Sequence, residues 1–350
     1  MTTEQTIASK AAAGHEQQQA QEKVQRAAQL PNGQRHFLNL SDLTRAQARA
    51  LLDVAHARKA ARAGLPTGQA DADRPLAGHL LAMVFDKPST RTRVSFDLAM
   101  RQLGGETIVL NQSDMQLGRG ESIADTAQVL ARFADAVMVR TGAHENLTEF
   151  AAHANVPVLN GLTAFSHPCQ IIADLMTFEE HKGRLAGQRI AWLGDGNNVA
   201  VSFVHAAALL DFELALATPE AYAVPAELVD AARAAGAKIS VCATAEEAAQ
   251  GAAALVTDCW VSMSDDPQSA ESRAAAFAPY SVTEALMAQG DDAIFLHCLP
   301  AYRDKEVSQA VIDGPRSVVF DEAENRCHAQ KAILAFCLGK DDSRPDESAF

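Results

Sequence analysis

The sequence predicts an α/β protein: two doubly wound domains with parallel central sheets, joined by interdomain helices. Three observations carry that expectation. Apolar runs of strand length alternate with helix-period patterns along the chain. The runs are apolar almost without interruption, as in strands covered by helices on both faces. Polar and glycine-rich motifs collect just after the runs, where ligands bind in sheets of this kind.

The elements follow in order. HFLNL (36–40) reads as a lead-in strand or turn. Thr44 opens a capping box with Gln47, and the helix it starts runs to Gly64. LLAMVF (80–85) is the first strand. In the next helix Phe96, Ala99, Met100 and Leu103 share one face, and Gly104-Gly105 ends it. TIVLN (107–111) is a strand, followed by the polar loop QSDMQLGRGE and a helix capped by Ser122 and Asp125 that runs to Phe133. AVMVR (136–140) and VPVLN (156–160) complete the first half. In the second half the strands are RIAWLG (189–194), ELALAT (213–218), KISVC (238–242), ALVTD (254–258) and AIFLHC (293–298). The helix AENRCHAQKAILAFCLG closes the fold. Residues 1–34, rich in Ala and Gln, read as a flexible N-terminal tail, residues 35–165 as the first domain and 166–321 as the second.

Composition narrows the function. The chain has 350 residues, 48% hydrophobic and 21% charged, enough for two well-filled cores. A net charge of -14 argues against a general nucleic-acid binder, so an anionic ligand needs a local basic cluster. The six cysteines form no C-x-x-C pair and no zinc spacing, which fits free thiols in a reducing compartment. No apolar run reaches membrane-spanning length, and the tail lacks the apolar region of a secretory signal. The expected location is cytoplasmic.

The motif FDKPSTRTRVS (85–95) opens a helix with Arg91 and Arg93 in its first turn, although a helix N-terminus repels cations. An anion docked there resolves the conflict. Ser89 stands at the N-cap, Thr90 beside it offers a second hydroxyl, and Arg91 can fork onto a phosphate. Arg93 reads as a support for the turn, able to pair with Asp97. No P-loop is present. GDGNN (194–198) resembles a dinucleotide turn, but Val199 replaces the third glycine and no acidic residue is well placed on the next strand. It reads better as a turn that presents the Asn198 amide to a polar ligand. HPCQ (167–170) puts His167 and Gln170 one turn apart, within reach of one small oxygen. His167 serves equally well as a helix cap. Asp258 ends a strand in DCWVSMS, where it can hold an ammonium or cap a turn. Cys298, in HCLPAYR, sits at a strand end and also fits a buried thiol.

Together these stretches resemble the aspartate/ornithine carbamoyltransferase family, on its ornithine side. The motifs are FDKPSTRTRVSF, DMQLGRGESIADTA, MVRT, HPCQ, WLGDGNNVA, DCWVSM, HCLPAYR and FDEAENR, spread from His36 to Gly339. The resemblance implies a first domain that binds carbamoyl phosphate, completed by the C-terminal helix 322–340, and a second that binds the amino acid. It implies that Ser89, Thr90, Arg91 and Thr92 hold the phosphate. Arg140, His167, Gln170, Cys298 and Arg326 become catalytic candidates around the carbamoyl group, with Leu299 beside them. Gln116 would come from a neighbouring subunit of a homotrimer. Asn198, Asp258, Ser262 and Met263 would hold ornithine. No metal and no organic cofactor is implied. The expected reaction gives L-citrulline and phosphate; the alternative is another acceptor amine, such as N-acetylornithine or putrescine. Ser264 and Tyr302 depart from the family pattern, which has Gly and His there.

Overall fold

The computed structural model describes residues 30, 32–111, 113, 115, 120–260 and 267–341. Gln116, Ser262, Met263, Ser264 and the tail up to residue 29 lie outside them. Two all-parallel sheets form the frame. The first contains β1 (Leu80–Phe85), β2 (Glu106–Asn111), β3 (Ala136–Arg140) and β4 (Val158–Leu162), in the order β2-β1-β3-β4. The second contains β5 (Arg189–Leu193), β6 (Glu213–Ala217), β7 (Lys238–Val241), β8 (Ala254–Thr257) and β9 (Ile294–His297), in the order β7-β6-β5-β8-β9. The inner strands are buried nearly end to end, whereas the edge strands β2 and β7 alternate between exposed and half-buried or buried positions. An edge strand can be more polar than the expected continuous run, although the other two edges, β4 and β9, are buried nearly end to end.

Helices α1 (Arg45–Ala60), α2 (Thr90–Gln102), α3 (Ile123–Leu130) and α4 (His144–His153) accompany the first sheet. Helix α5 (Pro168–Lys182) leads to the second, which carries α6 (Asn198–Leu209), α7 (Ala226–Ala234), α8 (Ala245–Ala249), α9 (Pro267–Phe277), α10 (Glu284–Met287) and α11 (Gln309–Ile312). The last helix, α12 (Val319–Cys337), packs on α5, α1 and α2 and so returns to the first half. The expected caps are formed. The Thr44 side chain accepts the Gln47 N–H in a capping box, and Ser122 accepts the Asp125 N–H. Two helix ends come early: α1 stops at Ala60 and α3 at Leu130, each followed by turns up to the predicted end. HFLNL is not a strand. Phe37 makes an isolated bridge to Leu159, and a short 3₁₀ turn follows at Leu40–Asp42.

Helices α5 and α12 are buried almost all round, which explains why neither shows a clean polar face. One continuous apolar core contains Leu81 and Met83 of the first sheet, Trp192 and Leu214 of the second, and Ile172, Ile333 and Leu334 of these two helices. Strand order then fixes the binding crevices. The strand order reverses between β1 and β3, and again between β5 and β8, so the connections on either side run to opposite edges of the sheet. At such switch points the loops part and leave space beyond the strand C-termini. The first opening is flanked by PSTRTR and Arg140, the second by GDGNN and Asp258.

Candidate active site

Three arginines converge on the first opening. Arg140 ends β3, level with Phe85 of β1. Its guanidinium donates to the Thr92 hydroxyl at 2.9 Å. Arg326, on α12, donates to the same oxygen at 2.9 Å. Both lone pairs of Thr92 are thus used, and its O–H remains to donate. Burial, then the Arg326 charge, lowers the Arg140 pKa to about 10, with Arg91 adding to the repulsion. Arg326 is lowered too, by burial first, with Arg91 again opposing it. Among the described residues, the carboxylates that pair with arginine do so elsewhere: Glu179 with Arg49, Asp71 with Arg62, Asp97 with Arg101, Asp195 with Arg273. None sits on Arg91, Arg140 or Arg326. Like charges gathered at low dielectric with no carboxylate in direct contact make a site for an anion.

Helix α2 supplies the rest of that site. Ser89 takes the N-cap position, but its side chain makes no capping bond, so the hydroxyl and the first-turn N–H groups are left for a ligand. Thr90 and Arg91 are exposed there, and Thr92 is buried. Arg93 does not form the expected bond to Asp97. That carboxylate is taken by Arg101, 2.8 Å away, and by the Thr107 hydroxyl, and Arg93 contributes only its nearby charge.

His167 and Gln170 lie beneath the arginines. His167 occupies the N-cap of α5 but its side chain caps nothing, which removes the helix-cap alternative. It is buried with Nδ1 unpartnered. Burial, then Arg326 and Arg140, hold its pKa well below the usual histidine range, so the imidazole is neutral. Gln170 is nearly spent. Its Oε1 accepts from Arg326, and its Nε2 donates to Asp174 at 2.7 Å and Glu322 at 2.9 Å. What it can still offer is the second lone pair on Oε1, an acceptor for an N–H.

The second opening is centred on Asp258. Its Oδ1 accepts the Cys259 N–H at 2.8 Å and the Cys298 thiol at 3.2 Å, and its Oδ2 accepts the Asn197 amide at 2.8 Å. Burial, then the Asp258 charge, pushes the Cys298 thiol well above its ordinary pKa. It is half-buried and neutral, a donor rather than a thiolate nucleophile. The Leu299 N–H is used on His297 Nδ1 at 2.9 Å, so what Leu299 can offer a ligand is its carbonyl. Leu299 has φ +57°, an uncommon conformation for a branched side chain. Asp258, His297 and Cys298 bring donor atoms within 4.8 Å of one another, a spacing a metal could bridge, but each is engaged in the hydrogen bonds just given.

In GDGNN a neighbouring asparagine joins the expected one. The Asn198 amide nitrogen donates to the Thr163 carbonyl at 2.6 Å, while its neighbour Asn197 caps α6 and reaches Asp258. The preference for Asn at an N-cap was the available signal for Asn197. A Cβ on Gly196 would lie 2.4 Å from the Val224 nitrogen, so that glycine admits protein backbone where a dinucleotide turn admits a pyrophosphate. The inner carboxyls Asp174 and Glu322 were also missed. Each stands four residues from a predicted site residue on the same helix, Gln170 and Arg326.

Fold and site together define a two-domain transferase class, with an anion site on one sheet and an amine-accepting site on the other. The aspartate/ornithine carbamoyltransferase carbamoyl-P binding domain matches residues 35–180, and the Asp/Orn binding domain of the same family matches 186–337. The chain belongs to the aspartate/ornithine carbamoyltransferase family. It is 54% identical over 305 residues to an ornithine carbamoyltransferase of Cereibacter sphaeroides, covering 87% of this chain and 99% of that one. It is 57% identical over 307 residues to one of Rhizorhabdus wittichii, covering 87% and 99%. The solved ornithine carbamoyltransferase from Pyrococcus furiosus superposes with a TM-score of 0.81 at 43% identity, covering 87% of this chain and 97% of that one.

Proposed function

We propose that the chain transfers the carbamoyl group of carbamoyl phosphate to the δ-amine of L-ornithine, giving L-citrulline and phosphate. The observation that carries this is the pair of guanidiniums, half-buried Arg140 and buried Arg326, that share the Thr92 hydroxyl without a carboxylate. The similarity to proteins named ornithine carbamoyltransferase selects the acceptor.

In this reading Ser89, Thr90, Arg91 and Thr92 bind the phosphate at the start of α2. The neutral δ-amine attacks the carbonyl carbon, and negative charge grows on the carbonyl oxygen. Arg140, Arg326 and neutral His167 are preorganised around that oxygen, so their interaction strengthens as the charge forms. Gln170 Oε1 accepts from the carbamoyl –NH₂. The bond from carbon to the phosphate oxygen breaks, the attacking nitrogen gives up its extra proton to the departing phosphate, and phosphate leaves as an anion held by Arg91 and the helix terminus. Asp258 takes the α-ammonium, and the Leu299 carbonyl and Cys298 line the approach of the δ-amine. Gln116 from a neighbouring subunit, and Asn198, Ser262 and Met263, complete the two sites. Proximity of two bound substrates supplies much of the rate. Residues 35–165 with helix 322–340 form the carbamoyl phosphate domain and 166–321 the ornithine domain of a cytoplasmic homotrimer that serves arginine biosynthesis. Among the described residues no helix is long and apolar enough to cross a membrane.

The test is an amine panel: ornithine, N-acetylornithine, putrescine and aspartate, each with carbamoyl phosphate. Citrulline formation is expected to dominate. A faster rate with another amine would overturn the choice of acceptor.

A further inference from the structure

Two carboxyl groups meet behind the carbamoyl side of the site. Asp174 lies one turn beyond Gln170 on α5, and Glu322 one turn before Arg326 on α12. Each is only 1% exposed. The Gln170 amide nitrogen donates to both. The other oxygen of Glu322 accepts the His297 backbone N–H at 2.8 Å, at the start of the turn that carries Cys298 and Leu299. One side chain therefore touches both halves of the crevice.

Packing alone does not ask for acids here, since burying a carboxyl is costly and an apolar pair would fill the space. The arrangement does solve a specific problem. A glutamine amide can sit either way round. With the amide turned over, Arg326 would face an –NH₂ instead of an oxygen. Two acceptors on one side and a guanidinium on the other allow only one orientation. Two carboxylates this close do not both ionise. Burial, then the Asp174 charge, pushes Glu322 well above the carboxylate range, and burial raises Asp174 as well. The pair thus retains a proton. The charges acting on Asp174 are Arg326, which lowers its pKa, and Asp258, which raises it.

We propose that Asp174 and Glu322 are positioning residues for carbamoyl transfer. They hold the Gln170 amide with Oε1 toward Arg326 and the carbamoyl group, and they tie that amide to the Cys298–Leu299 turn. The inference rests on the reading of Gln170 and Arg326 as carbamoyl-binding residues.

Steady-state kinetics of the full chain, with Tm measured on every variant, tests it. Glu322→Leu removes both acceptors at similar volume and is expected to lower kcat about 100-fold. Glu322→Gln keeps one acceptor, enough for the His297 N–H or the Gln170 amide but not both, and is expected to recover part of the loss, with kcat about tenfold above Glu322→Leu. Asp174→Asn is expected to raise the carbamoyl phosphate KM about tenfold while leaving the ornithine KM within about twofold. Should Glu322→Leu fail to fold, the KM split in Asp174→Asn decides. Equal kcat in the Leu and Gln variants, or equal changes in both KM values for Asp174→Asn, would overturn the proposal alone. An unchanged chain that forms no citrulline would overturn the reading of the site, and this inference with it.

Discussion

The two sides of the crevice are built on opposite charge logic. On the carbamoyl side Arg91, Arg140 and Arg326 converge, two of them with pKa values lowered by burial and mutual repulsion. On the amino-acid side a single carboxylate, Asp258, is already satisfied by three donors, a backbone N–H, an amide and a thiol. The first side is destabilised until an anion arrives. The second is at rest, and a ligand ammonium has only to join an existing network. In the proposed reaction, binding energy on the carbamoyl side is bound up with the chemistry, because the same arginines would meet the charge that forms in the transition state. On the amino-acid side it goes mainly into holding the acceptor.

Removing one carbamoyl-side arginine should give the largest effect. Arg140→Ala removes a donor to the developing oxyanion and leaves the Thr92 hydroxyl with one partner. A loss of about 10³-fold in kcat is expected, since one such donor is worth ~10²–10³ elsewhere. Circular dichroism should show an intact fold. A loss under about tenfold would mean that the arginine cluster is structural.

Asp258→Asn breaks the other side. The amide keeps the shape but loses the charge and one acceptor. The ornithine KM is expected to rise about 100-fold, with the carbamoyl phosphate KM within about threefold. Equal changes in both constants would erase the distinction between the two sides.

Cys298→Ser gives a smaller effect. The thiol is a neutral donor to Asp258, and a hydroxyl can donate in its place. Activity is expected to stay within about tenfold of the unchanged chain. A nucleophilic cysteine would instead lose nearly all of it, so the assay separates the two roles.

Much of this was legible in the residues. Strand-length apolar runs located the nine strands found among the described residues, because a parallel sheet covered on both faces demands them. Capping boxes and strand-end motifs located Thr44, Ser122, Arg140, Asp258 and Cys298, since local chemistry fixes a cap or a strand end. Contacts set by tertiary packing were not legible. Gln170 and Glu322 are 152 residues apart and meet only because α12 returns against α5. Asp97 seemed available to Arg93, but Arg101 and Thr107 reach it first. The two asparagines of GDGNN look alike in sequence, and only the start of α6 decides which one faces Asp258. Gln116, Ser262 and Met263 lie outside the described residues.

The smallest effect concerns pH, and it tests the burial of the carbamoyl side directly. His167 sits at a helix N-terminus beside two guanidiniums, and a third positive charge there is opposed by burial, by Arg326 and by Arg140. Its folded pKa is depressed. The unfolded chain binds a proton at this residue below about 6.5 that the native site refuses. His167 therefore contributes stability above that pH, and the contribution is lost as pH falls. In the working range the imidazole does not titrate. The group that does is the δ-amine, which resembles a lysine with a pKa near ~10. From pH 6 to 8, log(kcat/KM) for ornithine should then rise along one line of slope about 1, because each pH unit multiplies the neutral amine about tenfold. His167→Gln, which keeps a neutral donor, should lower that line by less than about half a log unit without changing its slope. A break near 6.5 that the Gln variant abolishes would mean that His167 does titrate. The carbamoyl side would then be open to water, and its arginines would have no reason to be strained.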